Sequence, residues 1–172
     1  MKSFFSIVLA NVFIVCSAFS QQVKSDKFIV YLFLLEDCKI CQSYVKTLNQ
    51  LQEKYECDSI VFRSFFSSPS SSMEGILKFK EKYHLEIPTF FDSLQLTAKN
   101  FGIHVMPECL VYNIAKQQIM YQGRIDNWFA AIGKRRAKPT EFNLLDALES
   151  IRQGKEISLK RTNPIGCLLT DR

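Results

Sequence analysis

Long apolar segments are scarce in this sequence of 172 residues. The one continuous example lies within the first 20 residues, and nothing after it approaches the roughly 20 apolar residues that a membrane-spanning helix needs. This scarcity predicts that the chain beyond that segment has no stable membrane span. The remainder, about 152 residues, is long enough for one domain with a sizeable core.

A large excess of charge of one sign is also lacking. Lys and Arg number 22 against 17 Asp and Glu, which gives a formal net charge of +5 at pH 7. The one basic cluster, residues 134–138, is interpreted as a solvated loop rather than as a patch for nucleic acid or membrane. We therefore expect no nucleic-acid partner.

Potential metal ligands are few. The sequence has two histidines, His84 and His104, and a single C-x-x-C pair, Cys38 and Cys41. A structural zinc site takes four ligands, so the pair would need two more. The sequence predicts no metal site, and metal binding by the pair stays a minor alternative.

The first 20 residues have the layout of a secretory signal peptide. Lys2 supplies the positive charge, residues 4–15 form the apolar stretch, and Ala18 and Ser20 are the small residues of a cleavage site. We expect cleavage and export to a periplasmic or extracellular compartment, with an uncleaved anchor as the alternative. Disulfides persist in such compartments. An odd number of cysteines remains, so at least one is unpaired or pairs elsewhere: Cys38, Cys41, Cys57, Cys109 and Cys167.

The hydrophobic pattern of the first half predicts alternating strands and helices. Residues 27–35 and 59–66 are apolar runs typical of strands buried on both faces of a sheet. Residues 41–55 repeat apolar side chains at helical spacing. Ser71 and Glu74 predict a capping box for a second helix.

The second half continues the same pattern and completes an α/β fold. It predicts, in order, a short strand after Pro88, a small helix ending at Gly102, a hairpin over 109–123, an irregular connection over 124–139 and a helix from Thr140 to Gly154. The fold class is therefore a central mixed β-sheet with helices on both faces. We expect one domain over residues 21–154 and a C-terminal tail over 155–172.

The stretch EDCKICQSYVKTL places two cysteines where a strand gives way to a helix. A spacing of three residues brings their Cα atoms to roughly 5–6 Å, which is the range that a disulfide requires. The partial positive charge of a helix N-terminus stabilises a thiolate. Cys38, at the helix start, is therefore expected to be the attacking nucleophile. Cys41, one turn in and less exposed, is expected to be the resolving thiol.

Two points about this pair stay open. Lys39 favours a thiolate whereas Glu36 and Asp37 disfavour it, so the direction of electron flow is not determined. A purely structural disulfide is a further alternative, although so small a loop would add little stability.

Together with IPTFFDSLQLTAKNFGIHVMPECLVYN and YQGRID, these residues resemble the thioredoxin superfamily, and within it the exported redoxin-domain group of thiol-disulfide oxidoreductases. The resemblance spans residues 24–153 and implies a thioredoxin-like fold with a C-terminal extension. It implies that Cys38 attacks and Cys41 resolves. It also implies that Pro107 is a cis-proline beside them and that the backbone of Met106 pairs with an extended substrate. An ordinary trans proline opening a strand is the alternative for Pro107.

The sequence departs from the best-known members of that superfamily. Asp-Cys-Lys-Ile-Cys stands where thioredoxin has Trp-Cys-Gly-Pro-Cys. The Pro and Thr that precede a peroxiredoxin cysteine are absent, which argues against peroxidase activity. The spacing is also shorter than the C-x-x-x-C of copper chaperones.

These observations predict an exported thiol-disulfide oxidoreductase that exchanges disulfides with other exported proteins and with a redox partner protein. The only redox group expected is the Cys38–Cys41 disulfide, with no added cofactor. The alternative is a non-catalytic redoxin-fold module that binds a partner or delivers copper or haem.

The tail carries one further cysteine. Cys167 lies 13 residues beyond Gly154, and an extended chain covers about 3.3 Å per residue, so the tail could return to the active-site edge of the sheet. Three roles stay open for Cys167: a free thiol, a bridge to Cys109, or a redox-relay or ligand role.

Overall fold

The structure is a computed structural model that describes residues 27–170. The predicted signal peptide lies outside these residues. Within them, no helix is both long enough and apolar enough to cross a membrane.

Strands and helices alternate along the described chain in nearly the predicted order. The elements are β1 (Phe28–Leu34), α1 (Lys39–Tyr55), β2 (Ile60–Phe66), α2 (Met73–Tyr83), β3 (Thr89–Phe91), α3 (Leu96–Asn100), β4 (Val105–Met106), β5 (Glu108–Asn113), β6 (Gln118–Gly123), β7 (Phe129–Ala131), β8 (Lys134–Arg135), α4 (Asn143–Arg152) and β9 (Cys167–Leu168).

A five-stranded sheet with the order β3-β2-β1-β5-β6 forms the centre of the molecule. Strands β1, β2 and β3 pair in parallel, whereas β5 pairs antiparallel with both β1 and β6. Val30, Phe33 and Leu34 of β1 have no exposed surface, as expected of a central strand covered on both faces. The predicted mixed sheet is confirmed.

Helices pack on both faces of this sheet. Leu34 is paired with Phe66, so these two side chains share one face and Phe33 points to the other. The ring of Phe66 lies 5.3 Å from that of Phe79 in α2, whereas Phe33 lies 6.5 Å from Phe101 at the end of α3. Helices α2 and α3 therefore cover opposite faces, and the predicted layering is confirmed.

The second helix begins one residue later than the predicted capping box implies. Ser72 is the N-cap, and its hydroxyl oxygen accepts a hydrogen bond of 3.0 Å from the backbone N–H of Gly75. Ser71 instead donates to the carboxylate of Glu36 at 2.5 Å. The predicted cap was wrong because a residue distant in sequence recruits the Ser71 hydroxyl.

The predicted irregular connection contains a small antiparallel pair, β7 and β8, and α4 starts after Phe142 rather than at Thr140. The side-chain oxygen of Asn127 accepts hydrogen bonds from the backbone N–H groups of Thr140 and Glu141, at 2.8 and 3.1 Å. These bonds hold the two residues in the connection, so the helix begins beyond them.

The tail runs back along the free edge of β6. The backbone of Gln122 donates to the carbonyl of Lys160 at 3.0 Å and accepts from the N–H of Thr162 at 3.1 Å. Gly123 adopts φ +148°, and a Cβ there would lie 2.2 Å from the hydroxyl oxygen of Thr162. The tail therefore covers an otherwise unpaired sheet edge.

Candidate active site

The first helix begins directly at the C-x-x-C pair. Cys38 is the N-cap of α1, and its carbonyl accepts a 3.0 Å hydrogen bond from the backbone N–H of Gln42. The Gln42 side chain donates to the carbonyl of Glu36 at 2.8 Å, which fixes the turn between β1 and α1. Cys41 lies on the buried face of the helix with no exposed surface. The chain order of strand, turn and amphipathic helix thus places both sulfur atoms at one end of the sheet.

The four predicted site residues lie together. The Cys38 thiol lies 3.5 Å from the carbonyl oxygen of Met106, and Cys41 lies one helical turn beyond Cys38 in α1. The Met106–Pro107 peptide bond is cis, and Pro107 is buried. A segment almost 70 residues from the cysteine pair along the chain therefore forms the opposite wall of the site.

The pKa values of the two thiols of the pair are shifted in opposite directions. The pKa of Cys38 is lowered to about 5, and the largest cause is hydrogen bonding from the Cys41 thiol. Burial opposes this shift, while Cys167 and the backbone N–H groups of Cys41 and Ile40 add to it. Burial and the neighbouring Cys38 raise the pKa of Cys41 well above its usual value. Cys38 therefore carries the negative charge and Cys41 keeps its proton at neutral pH.

A third thiol completes the group. Strand β9 of the tail pairs antiparallel with β4, with Cys167 opposite Met106, the residue whose carbonyl oxygen the Cys38 thiol contacts. Burial first, and then Cys38, raise the pKa of Cys167 to about 12, so this thiol also keeps its proton.

Cys38 is buried beside the tail. Only 1% of Cys38 is exposed, compared with 0% for Cys41, so the expected difference in exposure between the two is absent. Gly166, next to Cys167, lies so close to β4 that a Cβ on it would be 2.0 Å from the carbonyl oxygen of Met106. Helix position predicted that Cys41 is less exposed than Cys38, whereas the wall beside Cys38 includes a strand, β9, from the end of the chain.

The five cysteines in the described chain are free thiols. Cys109 is buried and donates to the carbonyl of Gly123 at 3.4 Å, so the bridge between Cys109 and Cys167 is not formed. Cys57 is exposed and lies 3.3 Å from the hydroxyl of Ser59. The tail does reach the active-site end of the molecule, as its length allowed.

We also searched the described residues for metal-ligand groups and for cavities near these thiols. Within residues 27–170, no group of three or more His, Cys, Asp or Glu side chains has an arrangement that could hold a metal ion. A cavity of about 620 Å³ lies at the other end of α1, lined in part by Tyr55, Cys57 and Ile60.

Sequence reasoning did not assign Gly166 or Cys167 to the site. The signals for them were weak: a Gly-Cys pair in a tail long enough to return to the sheet. Strand pairing between residues about 60 positions apart along the chain leaves no periodic pattern in so short a segment.

Comparison with known proteins finds solved structures with a similar fold, whereas the comparisons by sequence find no match. No family model matches the chain, and no curated protein matches its sequence. Protein SMc02350 of Sinorhizobium meliloti superimposes with a TM-score of 0.69 and 18% identity, over 86% of this chain and 81% of that one. An uncharacterized conserved protein from Geobacillus kaustophilus gives a TM-score of 0.67 and 21% identity, over 87% and 80%.

A third solved structure with a similar fold has a name that states an activity. It comes from Chlorobium tepidum, bears the name of the thiol:disulfide interchange protein DsbE, and superimposes with a TM-score of 0.52 and 17% identity over 75% of this chain and 77% of that one. The mixed sheet agrees with this likeness in fold. The chain has a thioredoxin-like fold.

Proposed function

We propose that this protein is an extracytoplasmic thiol-disulfide oxidoreductase in which Cys38 is the nucleophile and Cys41 the resolving thiol. One observation carries the proposal: a pair of thiols at the N-terminus of α1 faces the cis Met106–Pro107 bond, with the Cys38 thiol 3.5 Å from the carbonyl oxygen of Met106. This setting lowers the pKa of Cys38 to about 5 and raises that of Cys41. A structural pair of thiols has no need of such a difference, whereas stepwise exchange does.

The exchange proceeds in two steps. The Cys38 thiolate attacks one sulfur of a partner disulfide, and the other partner sulfur leaves and takes up a proton. Cys41 then loses its proton and attacks the Cys38 sulfur, which releases the partner as a dithiol and leaves a Cys38–Cys41 disulfide. The partner is reduced by two electrons, the protein is oxidised by two, and the reverse sequence oxidises a partner dithiol.

The chain's own residues supply the rest of the site. Met106 offers its backbone carbonyl beside Cys38, so an extended partner segment would pair there, and Pro107 holds that wall in position. No cofactor beyond the cysteine pair is required by this chemistry. The signal-peptide pattern of residues 1–20 supports an exported location, and the partners are then disulfides or thiols of other exported proteins and a redox partner protein.

The test is a redox titration of the full chain in glutathione buffers, followed by acid quenching, alkylation and peptide mapping. A reversible two-electron couple at Cys38 and Cys41 is expected, with turnover of a disulfide-containing protein that is lost in Cys38→Ala and kept in Cys57→Ala. Absence of both the couple and the turnover would favour the alternative, a non-catalytic module that binds a partner, copper or haem.

A further inference from the structure

The proposed reaction uses two thiols, but three share the site. Cys41 lies one helical turn beyond Cys38 in α1, and Cys167 is paired with Met106, whose carbonyl oxygen lies 3.5 Å from the Cys38 thiol. Paired residues of antiparallel strands have Cα atoms about 4.5–5.5 Å apart, which keeps Cys167 beside the wall that Cys38 contacts. A disulfide then requires the two sulfur atoms to approach to about 2.05 Å. Either neighbour is therefore placed to bond with Cys38.

Contacts at Cys167 and just beyond it hold this residue in place. Strand β9 is antiparallel to β4, with Cys167 opposite Met106. Just beyond it, the backbone N–H of Leu169 donates to the carbonyl of His104 at 2.8 Å. The Gln95 side chain donates to the carbonyl of Thr170, also at 2.8 Å. The position of this thiol is thus built by strand pairing.

Glycine at position 166 permits this approach. A Cβ there would lie 2.0 Å from the carbonyl oxygen of Met106, 2.5 Å from its carbonyl carbon and 3.0 Å from the nitrogen of Pro107. All three are backbone atoms, which cannot rotate aside as a flexible side chain could. Only a residue without Cβ lets the tail lie against this wall.

The tail is therefore arranged like an extended peptide that adds a strand to an exposed edge and presents a thiol to the nucleophile. We propose that Cys167 is a third redox-active cysteine, which forms an internal disulfide with Cys38 in alternation with Cys41 and occupies the substrate position until a partner displaces the tail. This inference rests on the proposed function, because it requires Cys38 to be the nucleophile.

The exchange balances without an added oxidant when it starts from the Cys38–Cys41 disulfide. Cys167 loses its proton and attacks the Cys38 sulfur. The bond to Cys41 breaks, and Cys41 leaves with the electron pair and takes up a proton. The protein contains one disulfide before and after this step.

From the reduced protein, the same bond needs a disulfide of another molecule, such as glutathione disulfide. The Cys38 thiolate attacks it and releases one glutathione. Cys167 then attacks the Cys38 sulfur and releases the second. Two protein thiols are oxidised, and glutathione disulfide is reduced to two thiols.

The experiment uses the full chain of a Cys41→Ser variant, incubated with glutathione disulfide, quenched in acid, alkylated and mapped by mass spectrometry. We expect a Cys38–Cys167 peptide as the main product. Adding Cys167→Ala should convert Cys38 to its glutathione adduct, at least tenfold more abundant than in Cys41→Ser alone. Cys57→Ala on the Cys41→Ser background is the matched control, since the exposed Cys57 is not in the group.

Each other outcome is decisive. A Cys41→Ser product that carries glutathione on Cys38, with Cys167 recovered singly and alkylated, overturns the role of Cys167 and leaves the nucleophilic role of Cys38 intact. A Cys38 that neither bonds to Cys167 nor takes up glutathione overturns both proposals. Should the variant fail to fold, the partly oxidised unmodified chain decides: both disulfide peptides support the inference, and Cys38–Cys41 alone refutes it.

Discussion

Replacement of Gly166 by alanine should uncover the Cys38 thiol. The added Cβ would lie 2.0 Å from the carbonyl oxygen of Met106, whereas carbon–oxygen contacts between strands are commonly about 3.3 Å or longer. The tail must therefore move by more than about 1 Å, which exceeds the spread of backbone hydrogen-bond lengths. Pairing between β4 and β9 would be lost next to Cys38, which is 1% exposed when the pairing is intact.

The size of the effect follows from that pairing. The loss of one or two backbone hydrogen bonds, at about 1 kcal/mol net each, raises the population of the open tail by roughly 5- to 30-fold. Alkylation of a covered thiol proceeds through the open form, so its rate should rise by the same factor.

The assay is iodoacetamide labelling of the reduced protein at pH 7, followed over time by peptide mass spectrometry. Cys57 is exposed and serves as the internal reference in every sample. Leu168→Ala is the control within the tail, because Leu168 is 74% exposed and its side chain contributes little to the pairing. If Cys38 in the Gly166→Ala variant reacts no faster than in the unmodified chain, the tail does not shield this thiol.

Two further predictions concern acidity and helix capping. With the pKa of Cys38 at about 5, the alkylation rate of its thiol should rise with pH to a plateau above about pH 6, where at least about 90% of Cys38 is thiolate. The Cys167→Ala substitution should move the inflection of this profile to higher pH, because it removes a hydrogen-bond donor. An inflection near the ordinary pKa of a thiol would contradict the assignment of Cys38 as the nucleophile. Ser72→Ala should lower the free energy of unfolding by about 1 kcal/mol, because the hydrogen bond from the N–H of Gly75 to the capping hydroxyl is lost, while Ser71→Ala should leave α2 capped. Denaturant unfolding of both variants measures this difference. A larger loss of unfolding free energy in Ser71→Ala than in Ser72→Ala would refute the assignment of the cap.

The sequence predicts those parts of the fold that depend on local pattern. The apolar runs of β1 and β2, the helical spacing of α1 and the hairpin of β5 and β6 all correspond to elements of the structure. Each of these signals arises from burial that repeats along a single segment. The placement of Cys38 at the start of α1 follows from the same information, because only four residues lie between the end of β1 and the start of α1.

Features set by distant contacts escaped prediction. The hydroxyl of Ser71 is taken by Glu36, and the start of α4 is delayed by the side chain of Asn127. The same holds for Cys38, whose thiol contacts the carbonyl of Met106, and for Cys167, which pairs with Met106 from the end of the chain. Sequence pattern reports the environment of a residue only when its neighbours come from the same segment or from a regular sheet.

The attachment of the tail to β6 limits how far Cys167 can travel. Residues 160–162 are hydrogen-bonded to Gln122, and only five residue steps separate Thr162 from Cys167. At about 3.3 Å per residue, a released Cys167 stays within roughly 16 Å of its anchor. Over so short a tether its effective concentration near Cys38 is on the order of millimolar or higher. Under the proposed function, partner thiols at micromolar concentration would therefore gain access only by binding the surrounding surface more tightly than the tail does. Partner selection would then be a competition with a displaced segment that stays tethered near the site.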